Sequence, residues 1–125
     1  MRVNCAIVFV RDMTKSVAFY RDVLGIPLRF ETPEWTEFET QGAVLALHRG
    51  SESAQSADDS TNAADRAGSC RPGFSVPDLD AFHARMTEHG VRCLQPPKDL
   101  FGARIAQYAD PDGLVLSVSQ SSRGE

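Results

Sequence analysis

This 125-residue chain has no long hydrophobic run, no cysteine pair at redox or metal spacing, and no cluster of positive charge. The longest apolar stretches fall far short of the roughly 20 residues that cross a bilayer as a helix, so no membrane span is expected. Its start, MRVNCAIVFVRD, has neither the length nor the cleavage region of a secretory signal. Cys5, Cys70 and Cys93 are an odd number with no CxxC, which suits reduced thiols in a cytoplasmic protein. Asp and Glu (17) outnumber Lys and Arg (13), so no nucleic-acid surface is expected. Only one Trp is present, and residues 50–69 hold no large apolar side chain.

What is there is a repeat. Residues 8–26, VFVRDMTKSVAFYRDVLGI, and 74–91, FSVPDLDAFHARMTEHGV, follow one plan. A short apolar strand ends in Val10 or Val76, an Asp follows two residues on (Asp12, Asp78), and an amphipathic stretch leads to Gly25 or Gly90. Each Asp can cap a helix by accepting an orphan backbone N–H. Met13, Val17, Tyr20 and Leu24 form a helical apolar stripe, as do Leu79, Phe82 and Met86. Each Gly suits the left-handed residue that ends a helix. In the second helix His83 is expected to be exposed, and His89 to lie at the C-terminus, where a positive charge is favoured. A unit folded twice predicts a pseudo-symmetric structure with a site between its halves.

The remaining segments read as strands. WTEFET (35–40) and AVLALH (43–48) flank Gln41-Gly42, a tight hairpin signal. A two-residue turn would oppose Phe38 to Leu45 and Glu37 to Ala46. Side chains alternate across a sheet, so Phe38, Leu45 and Leu47 would share a helix-covered face. Trp35, Glu37, Glu39, Ala46 and His48 would share the other, which is too polar for a dry core and suggests a wet concavity. In the second copy a short strand at 91–94 is broken by Pro96-Pro97, and strands at 100–109 and 114–119 bracket the turn Asp110-Pro111-Asp112-Gly113. The order is βαβββ twice: an α+β fold with helices outside a curved mixed sheet. The modules are residues 1–49 and 70–120, joined by a polar linker at 50–69 and followed by a tail at 121–125.

FYRDVLG at 19–25, SVPDLD at 75–80 and YADPDG at 108–113, in this order, resemble the vicinal oxygen chelate superfamily. That group includes glyoxalase I, bleomycin-resistance proteins, extradiol dioxygenases and fosfomycin-resistance enzymes. The resemblance covers nearly the whole chain outside the linker and implies a homodimer. It also implies four metal-ligand positions, which fall here on Cys5, Ala46, Arg71 and Ser117. Ala46 has no donor atom, and Arg71 is always protonated and has no lone pair to give. Ser117 is a poor ligand when neutral, and only Cys5 could bind a soft metal as thiolate. The oxygen and imidazole set that a hard divalent ion needs is missing, so neither metal nor cofactor is expected.

Several residues point toward a small-molecule ligand. Trp35 can stack on a flat compound or hold a cation. With Glu37 and Glu39 it resembles an acidic, aromatic lining for a cationic ligand, as in bleomycin binding. Arg71 points the other way, either binding an anion through paired hydrogen bonds or pairing with Glu37 or Glu39, with Arg104 a weaker companion. His48 could serve as base or displaced ligand. Cys5 and His48 together are the minimum for thiol activation. Tyr108 is expected in the same pocket. The leading expectation is a metal-independent binding protein that sequesters an antibiotic or metabolite, with Cys5, Trp35, Glu37, Glu39, His48, Arg71, Tyr108 and Ser117 as site residues. The alternatives are a lyase, isomerase or dioxygenase using relocated ligands such as Cys5, His48 and Glu37, and a regulatory or interaction module.

Overall fold

The computed structural model describes residues 3–50, 70–100 and 102–120. The linker at 50–69 lies outside these residues except for Gly50, and the tail at 121–125 lies wholly outside. The chain divides into two compact units, residues 1–61 and 62–125, and each has the same topology.

In the first unit β1 (Cys5–Val10) leads to α1 (Met13–Ala18), then β2 (Leu28–Glu31), β3 (Trp35–Phe38) and β4 (Val44–Arg49). The sheet order is β1-β4-β3-β2, with β1 and β4 parallel and the other pairs antiparallel. Val8, Val10, Phe38, Leu45 and Leu47 are buried on the helix side beside Met13, Val17 and Tyr20. Thr36 is fully buried among them, its hydroxyl meeting Met13 Sδ at 3.3 Å. Asp12 caps α1, accepting from Lys15 N at 3.1 Å.

The helix departs from the regular stripe. After Ala18 it widens into a π-helical turn, Phe19–Val23, and Leu24 N bonds back to Phe19 O. Regular α-helical steps would splay neighbouring side chains apart, whereas the wider i→i+5 turn lets both Phe19 and Tyr20 turn inward. Both are buried, edge-to-face at 5.2 Å, and Tyr20 lies 6.0 Å from Phe38.

In the second unit β5 (Gly73–Val76) leads to α2 (Leu79–Glu88), β6 (Cys93–Leu100), β7 (Ala103–Ala109) and β8 (Val115–Gln120). The sheet order is β5-β8-β7-β6, again with one parallel pair, β5 and β8. Asp78 caps α2 through Ala81 N, and Gln120 Oε1 accepts from Leu79 N at 2.9 Å, tying the helix start to β8. The expected stripe holds: Leu79 and Met86 are buried and Phe82 half-buried.

Two strand boundaries need correction. Pro96-Pro97 does not break the chain, because β6 runs through it to Leu100. The strand is at the sheet edge, and its pairing shifts between Gln95 and Lys98, so neither proline need donate to a ladder. At the first hairpin Glu39 and Thr40 leave the ladder. Thr40 Oγ1 accepts from Gly42 N and donates to Ala43 O, drawing the backbone into a longer turn. The register is still the expected one, with Phe38 opposite Leu45 and Glu37 opposite Ala46. The Asp110–Gly113 turn folds round the Asp110 carboxylate, which accepts from Asp112 N and Leu114 N, both at 2.9 Å. No helix among the described residues is long and apolar enough to cross a membrane.

Candidate functional site

The face of the first sheet opposite its helix is unusual in what it leaves uncovered. Pairing sets Phe9 beside His48 and His48 beside Trp35, making one row across three strands. A second row runs Ile7, Ala46, Glu37 and Phe30, and Cys5 opposite Val44 begins a third. Phe9 is 66% exposed, Ile7 49% and Phe30 45%. Burying such side chains ordinarily stabilises a protein by about 1.5–3 kcal/mol each, so an open cluster of them marks a contact surface.

The rings are held in place. The His48 ring lies 5.3 Å from that of Phe9 and 5.7 Å, edge-on, from that of Trp35. Trp35 Nε1 donates to Glu37 Oε2 at 2.9 Å, and Arg29 Nε stands 4.0 Å from Glu37 Oε1. A bulge in β2 between Leu28 and Phe30 brings Arg29 to this face. The Trp35 backbone is anchored by Thr32, whose hydroxyl accepts from Trp35 N at 2.9 Å and donates to Trp35 O at 2.7 Å. His48 Nδ1 lies 2.9 Å from Arg49 O.

The structure thus brings Trp35, Glu37, His48 and Cys5 onto one face, and adds Ile7, Phe9 and Phe30, which sequence reasoning missed. The signal was present in VNCAIVFV, a strand apolar on both faces, since a strand lining a wet concavity should alternate. Glu39 is exposed beyond the end of β3, its backbone N bonded to Pro27 O. Cys5 and His48 share a face, but Cys5 opposes Val44 while His48 opposes Phe9, four residues further along β1. At about 3.3 Å per residue they stand roughly 13 Å apart, so no thiol–imidazole pair forms.

Tyr108 requires a clear correction. It lies on the helix side of β7, 1% exposed, and its hydroxyl meets His83 Nδ1 at 2.9 Å. The rings of Phe82 and His83 lie 5.6 and 5.9 Å from its own. Tyr108 is therefore a core residue, and His83 is half-buried against it rather than exposed. Burial, with a smaller contribution from Cys93, pushes the Tyr108 hydroxyl up to about 12. Ser117 is half-buried on the other face of the second sheet, opposite Gly73 and Gln107. Arg71 is half-buried just before β5.

The four ligand positions implied by the family resemblance, Cys5, Ala46, Arg71 and Ser117, carry a thiol, a methyl, a guanidinium and a hydroxyl. That set does not fit a hard divalent ion, because two of the four have no lone pair to give. Among the described residues no three His, Cys, Asp or Glu side chains are grouped to hold a metal.

The paired βαβββ units define the glyoxalase-type fold. The family model of the Glyoxalase/Bleomycin resistance protein/Dioxygenase superfamily matches residues 2–118, and the chain belongs to that superfamily. A protein of unknown function from Agrobacterium tumefaciens C58 is 31% identical, with a TM-score of 0.74 over 97% of this chain and 94% of that one. TnmS3, an antibiotic-binding protein from Streptomyces sp. CB03234, is 28% identical, with a TM-score of 0.74 over 96% and 95%. A lactoylglutathione lyase from A. tumefaciens, 20% identical with a TM-score of 0.73 over 95% and 92%, shares the fold.

Proposed function

We infer that this protein binds a small organic molecule without using a divalent metal, sequestering an antibiotic or metabolite, a reading that its similarity to an antibiotic-binding protein supports. The observation that carries this reading is the pre-positioned aromatic face of Phe9, His48 and Trp35, in a chain whose residues at the ligand positions implied by the family do not suit a hard cation. Aromatic side chains present large contact area at little entropic cost, and here neighbouring groups already fix their orientation. Trp35, Glu37, His48 and Cys5 belong to this contact surface of the first unit. A lyase or dioxygenase built on relocated Cys5, His48 and Glu37 would need those groups to converge, and the roughly 13 Å along β1 argues against it. We also place the protein in the cytoplasm as a homodimer, and a stable monomer in light scattering would overturn the dimer.

The test is metal content of the untagged protein by native mass spectrometry, followed by a ligand screen read through Trp35 fluorescence. The expected result is no stoichiometric metal, with saturable quenching by some organic compounds. A stoichiometric divalent ion that supports turnover would sink the proposal.

A further inference from the structure

The aromatic face also carries information about the chemistry of its ligand. A carbonyl oxygen can only accept, so the 2.9 Å contact between His48 Nδ1 and Arg49 O puts the proton of the neutral imidazole on Nδ1. Nε2 is then a lone-pair acceptor on an exposed ring, flanked by Phe9 and Trp35. Glu37, the carboxylate of this face, already accepts the indole N–H and stands beside Arg29. A cationic ligand would have to share a carboxylate that the indole N–H and Arg29 already engage, and would meet the positive charge of Arg29, while an anionic one would meet that carboxylate. Arg29 and Glu37 neutralise each other, and the surrounding surface of Ile7, Phe9 and Phe30 is apolar.

From this arrangement we propose that the preferred ligand is an uncharged, flat aromatic compound carrying a phenol-type hydroxyl, which donates its hydrogen bond to His48 Nε2 while its ring packs on Phe9 and Trp35. The inference rests on the small-molecule reading above and narrows it. It reverses the expectation of an acidic lining for cations, because the acid is engaged within the protein. His48 acts here as the residue that sets specificity, through an acceptor whose tautomer the backbone fixes.

The test is isothermal titration of the full chain near pH 8 with four probes: β-naphthol, its methyl ether, β-naphthoate and naphthylmethylammonium. β-Naphthol should bind tighter than the ether by roughly 3- to 10-fold, the value of one net hydrogen bond, and tighter than either ion. In His48→Phe, which keeps a ring but removes the acceptor, naphthol and ether should bind within about twofold of each other. A nitrogen-15 spectrum of the unmodified protein supplies a second readout, in which the His48 Nε2 resonance should move on adding naphthol and not on adding the ether. Equal affinity for naphthol and ether in the unmodified protein overturns the acceptor role while leaving small-molecule binding intact. So does a preference that survives in His48→Phe. Tighter binding of either ion overturns the neutral character of the face. Failure of all four probes to bind overturns the ligand class, whereas metal-dependent turnover is what would overturn the broader reading.

Discussion

Set side by side through their strand registers, the two units match in topology and diverge in surface. Ile7, Ala46 and Glu37 in one correspond to Gly73, Ser117 and Gln107 in the other, and Phe9, His48 and Trp35 correspond to Ser75, Ser119 and Ile105. Large rings in the first unit thus stand where small hydroxyls and an aliphatic stand in the second. The helix-side positions behave differently: Leu45 and Leu47 match Leu116 and Val118, and Phe38 matches Tyr108. Close packing constrains the covered face of both units in the same way, while the open face is free to differ. The contrast leaves the exposed aromatic rings on the first unit and small or polar side chains at the matching positions of the second.

The largest expected effect tests the split between covered and open faces. Phe38 is fully buried, so Phe38→Ala should cost about 3–5 kcal/mol in urea denaturation. Phe9→Ala, on the open face, should cost less than about 1 kcal/mol. Equal losses would mean that the Phe9 face is part of a core. The next effect compares the helix caps: Asp78→Ala and Asp12→Ala should each lose about 1 kcal/mol, since each removes one acceptor from a helix start. A much smaller loss for Asp12 would show that the π turn, rather than the cap, holds the first helix.

Tyr108 sharpens the comparison with Phe38. Tyr108→Phe turns the second unit's core residue into the first unit's, at a cost of about 1 kcal/mol for the lost bond to His83. The folded hydroxyl titrates near 12, above its ordinary value of 10. Its stabilising contribution is therefore complete below about pH 10 and lost as pH rises toward 12. The variant should flatten that alkaline loss in denaturation measured across this range, and an unchanged slope would contradict it. The smallest effect concerns Arg104, which bridges β7 to Asp80 of α2 at 2.7 Å in an exposed setting. Arg104→Ala should leave the denaturation midpoint unchanged within error, because solvent screens such pairs.

Most of the fold was legible because Asp caps, terminal glycines and apolar periodicity are local signals. Gly25 and Gly90 do take up positive φ, 81° and 69°. The face containing Trp35, Glu37 and His48 followed from strand alternation alone and survived an error in turn length, since two residues left the ladder together. The side on which Tyr108 falls was not legible, because the four-residue turn after it fixes register less tightly than a two-residue one. Aligning the repeat would have paired it with Phe38 and placed it in the core. Phe9 was overlooked because an all-apolar strand does not announce which half is covered. The engagement of Glu37 with Trp35 and Arg29 depends on side-chain geometry and a β2 bulge that composition does not encode.

The edge strands carry a consequence for how copies of this chain can meet. Pro96 and Pro97 lack backbone N–H groups, and β2 is bulged where Arg29 reaches the open face. An incoming strand would find a gapped and uneven template at either place. Sheet extension from molecule to molecule, the first step toward fibrils, is discouraged at β2 and β6, one edge of each sheet. Concentrated protein should therefore stay clear of cross-β growth from these two strands.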